Sequence, residues 1–268
     1  MLTGIALALF ASVLWAIGPL LYKTGATESA LDDLFSIALA ALISALPLAA
    51  LGLNLSLDVW AYGFLFSLLG PVLGTYAYLL SLRYAEVGLA NLVSYAYIVM
   101  VPLLEAPAEG LSLRYLAAGA VAMAGLYAIM SSRRASAKGL ALASLSALLY
   151  ALSFLALGAA TSSTDPWSFA FARSVSLFLI AAALEAARRR RPRLSGRIFL
   201  AAVLGYGVGG PAFILSVYEA GVVVPTIITA LSPALTQILA ASRLNERLDA
   251  SSALGFLLVM AGIIIASV

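Results

Sequence analysis

The chain reads Gly4-Ile5-Ala6-Leu7-Ala8 near its start and repeats this segment 135 residues later as Gly139-Leu140-Ala141-Leu142-Ala143. Other pairs keep the same order and nearly the same spacing: Trp15-Ala16 with Tyr150-Ala151, Leu69-Gly70 with Leu204-Gly205, Leu80-Ser81 with Leu215-Ser216, and Met123-Ala124-Gly125 with Met260-Ala261-Gly262. Alanine- and leucine-rich segments can recur by composition alone, but composition does not preserve the order of several matches. We therefore predict an internal duplication, with one repeat over residues 1–134 and a second over residues 135–268.

The composition indicates a membrane protein rather than a soluble one. Of the 268 residues, 63% are hydrophobic and 10% are charged, compared with about 25% charged in soluble domains. Ten segments of at least 18 residues are apolar enough to cross a bilayer, with Arg173 the one charge among them: 3–22, 34–57, 59–82, 87–104, 115–132, 139–164, 167–184, 198–218, 220–242 and 250–268. They are apolar nearly all round, whereas barrel strands alternate apolar and polar residues. We predict an all-α polytopic membrane protein with ten transmembrane helices.

The number of helices in each repeat predicts how the two halves are related. Because five is odd, the second repeat enters the membrane from the opposite side, and the two halves are inverted relative to each other. This architecture is typical of secondary transporters whose substrate sites lie near the bilayer midplane, between the repeats. The sequence therefore favours transport by alternating access.

The basic residues predict the orientation of the helices. Thirteen of the 15 lie in loops that follow odd-numbered helices, whereas the even-numbered loops contain only Arg114. The positive-inside rule then places the odd-numbered loops in the cytoplasm and both termini outside. A net charge of +3 could also suit a nucleic-acid partner, but the basic residues are confined to short loops, and we expect no such partner.

The residue types present exclude much enzymatic chemistry. The chain has no cysteine and no histidine, so it lacks thiolate nucleophiles and the thiolate and imidazole ligands of many metal sites. An integral membrane enzyme acting on lipid-linked substrates would need clustered acids, bases or metal ligands, and the sequence shows no such cluster. A passive facilitator or channel stays open as an alternative. We expect no enzymatic activity, no cofactor and no metal.

Four short motifs mark the two repeats: Trp15-Ala16 in the first helix, Ser232-Pro233 in the ninth, and the turns Glu109-Gly110-Leu111-Ser112 and Glu246-Arg247-Leu248-Asp249 after helices four and nine. Through these motifs the whole chain resembles the EamA-type members of the drug/metabolite transporter superfamily. The resemblance implies ten helices around a central cavity, and secondary transport of small metabolites, often amino acids. We expect net export by a monomer in the cell membrane.

Two departures from the family pattern stand out. Ala96 occupies the position where the second repeat has Pro233, which argues against a symmetric gate. The loop after helix two carries no basic residue, although many relatives place positive charge there. The second departure implies an orientation opposite to that of those relatives.

Polar residues of helices four and nine mark a candidate transport pathway. Asn91 and Ser94 lie on one stripe of helix four, and they correspond to Thr226 and Thr229 of helix nine. Polar groups inside a bilayer are costly and are functional candidates. The alternative is helix packing, because serine and threonine also bond to neighbouring helices or to their own backbone.

Two charged residues within or near the spans have more than one interpretation. Glu105 ends the stripe on helix four and is our candidate for proton coupling, because burial favours the neutral carboxylic acid. Alternatively, it is a helix-end carboxylate paired with Arg114. Arg173 could bind a carboxylate in a bidentate manner, or its long side chain could extend to the nearer interface.

Aromatic residues complete the candidate site, since tyrosine and tryptophan combine an apolar face with one hydrogen-bond donor. Trp15 and Tyr150 occupy equivalent mid-span positions in the two repeats. The alternative for both is packing in the helix core. We predict a substrate site formed by Trp15, Tyr76, Asn91, Ser94, Tyr95, Tyr150, Arg173, Tyr206, Thr226 and Thr229.

Overall fold

A computed structural model describes residues 1–54, 56–109, 112–130, 136–244 and 250–268. These residues form helices and no β-strand, as the apolar segments predict. The helices are α1 (Leu2–Gly25), α2 (Ala30–Leu51), α3 (Leu57–Tyr84), α4a (Val87–Ser94), α4b (Tyr97–Glu109), α5 (Leu113–Met130), α6 (Ala137–Ala160), α7 (Pro166–Ala187), α8 (Gly196–Ala220), α9a (Val223–Ile228), α9b (Leu231–Leu244) and α10 (Ala250–Ser267). The predicted boundary between residues 134 and 135 lies outside the described residues, as do all or part of the turns at residues 109–112 and 246–249.

When α4 and α9 are each counted once, the described residues form ten helices, one for each predicted span. Seven are long and apolar enough to cross a membrane by length and composition. Three shorter apolar helices, 113–128, 223–239 and 253–267, supply the rest within the part of the chain that is described. The protein is a multi-pass integral membrane protein.

The loops sort to two ends of the bundle, as inverted halves require. Loops that follow odd-numbered helices meet at one end, which we call the basic end, through Asp33 with Arg83, Asp32 with Arg188, and Tyr84 with Ser136. At the other end, which we call the distal end, the backbone N–H of Asn54 donates to Ser168 Oγ at 2.8 Å. Gly4, at the start of α1, lies there against Ala220, at the end of α8. Helix α1 therefore runs toward the basic end, whereas its counterpart α6 starts from it.

The same backbone irregularities appear in both halves. A π-helical turn interrupts α3 at Leu68–Gly74, and another interrupts α8 at Val203–Gly209, 135 residues later. Pro71 lies within the first turn, and Pro211 lies just after the second. Proline removes a backbone hydrogen-bond donor from a helix. The spacing of these turns equals that of the sequence repeat and confirms two inverted five-helix units.

Helices α4 and α9 break at equivalent places. The breaks fall at residues 95–96 and 229–230, where α4a gives way to α4b and α9a to α9b. Short i→i−3 bonds close both gaps, as from Ile98 N to Tyr95 O (3.1 Å) and from Ser232 N to Thr229 O (2.9 Å). Backbone groups in a membrane need such internal partners. Helix α4 breaks although it has Ala96 where α9 has Pro233. The lack of a proline at this position therefore does not prevent a matching break.

Helices α5 and α10 pack against each other on small residues, outside the central cavity. A Cβ atom at Gly125 would lie 2.5 Å from Gly255 O, and one at Gly262 would lie 2.6 Å from Ala118 O. Contacts this close leave no space for a side chain, which is the physical reason for small residues at membrane helix interfaces. The repeated Met-Ala-Gly motif thus serves helix packing.

We predict that Gly262→Leu destabilises the fold. Overpacking a tight contact costs about 1–3 kcal/mol, so the apparent melting temperature in detergent should fall by several degrees. Gly196→Ala is the control, because no atom of the described residues lies within 4 Å of a Cβ at Gly196. Equal melting temperatures for the two variants would contradict this account of the α5–α10 contact.

Candidate functional site

A cavity of about 120 Å³ lies between the two halves. Three helices of the first half, α1, α3 and α4, and three of the second, α6, α7 and α8, supply its described lining residues. A single water needs roughly 10–15 Å³ on the same measure, so the space suits a small organic molecule. Seven of the ten predicted site residues line it: Trp15, Asn91, Ser94, Tyr95, Tyr150, Arg173 and Tyr206.

The π-helical turns of α3 and α8 place an aromatic ring from the opposite half. Trp15 Nε1 donates to Gly205 O at 2.8 Å, and a Cβ atom at Gly209 would lie 2.9 Å from the same nitrogen. Its counterpart Tyr150 lies against Gly70 and Gly74, where added Cβ atoms would be 3.3 and 3.2 Å from the ring. Glycine in these turns therefore lets each ring sit directly on the backbone of the other half.

Three hydroxyl groups meet in the lining of the cavity. Thr75 Oγ1 lies 2.7 Å from Tyr150 OH and 2.5 Å from Tyr206 OH, and the two tyrosine oxygens are 3.1 Å apart. Each hydroxyl can donate once and accept from the others. This cluster, which we call the hydroxyl triad, joins α3 of the first half to α6 and α8 of the second.

Two polar groups on α4a line the cavity and have no hydrogen-bond partner among the described residues. Tyr78 OH donates to Asn91 Oδ1 at 2.6 Å, which leaves the Asn91 Nδ2 donors unpaired. Ser94 Oγ is also unpaired, and both residues are buried. Buried polar groups are normally hydrogen-bonded, so these two are available to a bound molecule.

Hydrogen bonds join the break in α4 to the break in α9. Tyr95 OH donates to Ser232 Oγ at 3.0 Å, and Tyr97 OH is hydrogen-bonded to Thr229 Oγ1 at 3.0 Å. Because the two helices belong to different halves, these bonds connect the halves at the breaks.

Arg173 is buried, with only 3% of its surface exposed, and its side chain turns inward rather than toward an interface. Its Nη2 donates to Tyr206 O at 2.6 Å. A π-type bond to that carbonyl would need an N–H at residue 211, which is Pro211. The guanidinium occupies the space beside Gly210, where a Cβ atom would be 2.7 Å from Nη2. The arginine thus donates to a carbonyl of the widened turn and lies directly against its backbone.

Three predicted site residues lie outside the cavity lining. Thr226 Oγ1 donates to Val222 O and Thr229 Oγ1 to Thr226 O, both at 2.6 Å, so these hydroxyls bond to their own helix. Tyr76 is half-buried and packs against an apolar cluster to which α1, α2, α3, α4, α7 and α8 contribute. It follows Thr75 by one residue and therefore points about 100° away around the helix. Half-buried Glu105 also lies outside the lining.

Phenylalanines close the distal side of the cavity. The ring of Phe154 lies 4.9 Å from that of Phe213 and 6.4 Å from that of Phe66, which in turn lies 5.5 Å from Phe169. From the helical rise, Phe66, Phe154 and Phe213 lie about 25 Å from the basic end. Tyr22 and Asn91 line the cavity within about 6 Å of that end. The cavity therefore approaches the basic end and is capped on the distal side.

The sequence analysis did not select several of the lining residues, chiefly Tyr22, Phe66, Thr75, Tyr78, Tyr97, Phe154 and Phe213. A phenylalanine in an apolar helix cannot be distinguished by polarity from residues that only pack. Thr75 had one detectable signal, since it is a polar residue at mid-span directly after the Gly70-x-x-x-Gly74 pattern.

We predict that Thr75→Val and Tyr150→Phe act through one shared contact. Each should lower the free energy of unfolding by about 1 kcal/mol, and the double variant should lose less than the sum, because contacting residues couple. Unfolding in mixed micelles measures this. Thr24→Val, whose hydroxyl donates to Leu20 O of its own helix, should be additive with Tyr150→Phe. If the losses of unfolding free energy were additive for both pairs, the predicted coupling between Thr75 and Tyr150 would be wrong.

Comparison with known proteins shows which family the chain belongs to. The EamA-like transporter family matches the chain twice, at residues 2–131 and 137–268. No protein with a curated description matches. Among solved structures, one described only as the crystal structure of a protein has a TM-score of 0.76 and 18% identity, with 98% of this chain and 96% of that chain covered. At this identity the likeness shows a shared fold alone. Because the family matches both halves of the chain, the protein belongs to the EamA-like transporter family.

Proposed function

We propose that the protein is a secondary active transporter of small metabolites, amino acids or related amphipathic compounds, working by alternating access. The observation that carries the proposal is the cavity shared by the two inverted halves. Secondary transporters bind substrate near the midplane between such repeats. The aromatic walls of the cavity suit the apolar body of a substrate, while Asn91, Ser94 and the hydroxyl triad suit its polar groups.

The contacts at the two sides of the cavity support a carrier cycle. The phenylalanines of α3, α6, α7 and α8 separate the cavity from the distal end, which argues against a continuous pore. At the basic end, Asp32 of the first half pairs with Arg188 and Arg190 of the second, at 3.0 and 2.9 Å. In the proposed cycle the phenylalanine cap opens as the cavity closes toward the basic end.

We propose export as the direction of net transport, and the position of the cavity together with the charge distribution supports it. If the basic end faces the cytoplasm, as the positive-inside rule predicts, the conformation described here is the one closer to receiving substrate from the cytoplasm. Tyr22 and Asn91 mark that side of the cavity. We also propose a monomer as the working unit, because the two halves of one chain already form the cavity between them.

An enzyme acting on lipid-linked substrates has less support. The described lining contains no carboxylate, and its ionisable side chains are one arginine and several tyrosines. Such a set offers no pairing of a general base with a nucleophile.

Counterflow in proteoliposomes tests the proposal. The vesicles are preloaded with a pool of amino acids and related metabolites, and uptake of labelled pool members is measured with and without a pH gradient. Saturable exchange is expected. A failure of every pool member to exchange, from protein that is folded in the vesicles, would overturn the carrier proposal.

We predict that Trp15→Ala and Asn91→Ala each lower the exchange rate at least tenfold while folded protein remains in the membrane. The first removes a wall of the cavity, and the second removes its unpaired amide donors. Trp167→Ala is the matched control, since Trp167 is 39% exposed at the distal end and does not line the cavity. Wild-type kinetics for both cavity variants would place the substrate elsewhere.

Proton coupling through Glu105 is a separate part of the proposal. Glu105→Gln should abolish the response of transport to an imposed pH gradient while it preserves exchange at equal pH, because glutamine cannot release a proton. Glu219→Gln, at an exposed carboxylate near the distal end, should keep the full response. An unchanged gradient response in Glu105→Gln would exclude this residue as the coupling group.

A further inference from the structure

Arg173 stands apart from the other charged residues of the protein. Of the described residues that line the cavity, it alone carries a charge. The ion pairs among the described residues join carboxylates to other basic residues: Arg83, Arg188, Arg190 and Arg193. The cavity therefore contains a buried cation with no carboxylate partner from the described chain.

The position of Arg173 is set by its backbone and by one bond of its side chain. Ser67 Oγ donates to Arg173 O at 2.7 Å, and a Cβ atom at Gly63 would lie 3.1 Å from Arg173 N, so α3 and α7 are in close contact here. Within the side chain, Nη2 donates to Tyr206 O, whereas Nε is buried and has no partner in the part of the chain that the structure describes. A guanidinium has five N–H donors, and this one retains a donor for a ligand.

Electrostatics determine which ligand satisfies such a site. A charge within the membrane is costly unless it is paired, and intramembrane arginines mark ligand and counter-ion sites. A carboxylate would supply the missing negative charge, and arginine binds carboxylates through two parallel hydrogen bonds. The described lining has no carboxylate to receive an ammonium group.

We propose that the substrate is an organic monoanion, with a carboxylate bound by Arg173 and an aromatic or alkyl body held by the surrounding rings. This inference rests on the proposed transport function and specifies its substrate class. The rings of Trp15, Tyr150 and Phe213 provide the apolar walls. The unpaired Asn91 Nδ2 lies nearer the basic end and presents a second set of donors to an acceptor-rich molecule.

Three indole compounds that differ mainly in charge provide the test. They are 3-(indol-3-yl)propionate, an anion; tryptophan, a zwitterion; and tryptamine, a cation. Equilibrium binding of each radiolabelled compound is measured on the full-length protein in nanodiscs. The propionate should bind at least tenfold more tightly than tryptophan, and tryptamine should bind least.

Variants at Arg173 separate charge recognition from structural support. Arg173→Gln should weaken binding of the propionate at least tenfold and should abolish the preference among the three compounds. Arg173→Lys keeps the charge and should retain part of the preference. Arg114→Gln, which removes a charge at an exposed position of the distal end, should leave the order unchanged. If Arg173 serves only to bond Tyr206 O, Arg173→Gln should weaken all three compounds equally.

The outcomes distinguish this inference from the proposed function. Tighter binding of tryptophan than of the propionate, or no saturable binding of the propionate, overturns the anion inference, while exchange in the metabolite pool would still support a carrier. Saturable binding of the propionate that requires Arg173, together with no counterflow of any pool member or of the propionate, supports an anion site and overturns transport.

Discussion

Backbone groups inside a membrane must find hydrogen-bond partners within the protein, and the candidate site lies where the regular α-helical bonding pattern is interrupted. Within the widened turn of α8, Gly205 O accepts a hydrogen bond from Trp15 Nε1, and Tyr206 O accepts one from Arg173 Nη2. The breaks in α4 and α9 are closed by short i→i−3 bonds. Trp15 and Arg173, which bond to this irregular backbone, therefore also line the cavity.

The duplicated scaffold carries an asymmetric site. The widened turns of α3 and α8 have the same length and spacing, yet Thr75 of the hydroxyl triad corresponds to Gly210, and Arg173 corresponds to Ala38. Helix α4 lines the cavity, whereas the described part of α9 does not. If both halves had the same conformation, the cavity would lie equally far from the basic end and from the distal end. The difference between the halves is what lets the cavity approach the basic end while phenylalanines cap the other.

Much of the fold was predictable because a membrane allows few solutions. Apolar segments of 18 or more residues indicate helices, the 135-residue offset indicates duplication, and an odd number of helices in each repeat indicates inversion. The site was partly predictable. Trp15, Tyr150 and Arg173 are conspicuous in an apolar sequence, whereas Phe154 and Phe213 are indistinguishable from ordinary packing residues. Thr226 and Thr229 were selected by assuming that both halves present the same face, and the conformations of the two halves differ.

The amino-acid sequence by itself determined the helical class, the number of spans and the inverted duplication, because hydropathy and repeat spacing depend only on which residues occur and in what order. It also showed that no thiol or imidazole chemistry is possible. Only the tertiary structure decided that Thr75 joins two tyrosines of the other half, that Arg173 lies beside Gly210, and that Asn91 keeps a donor unpaired. The physical reason is that each of these features depends on distances between helices far apart in the chain, and the rotation of a helix about its axis is set by its neighbours.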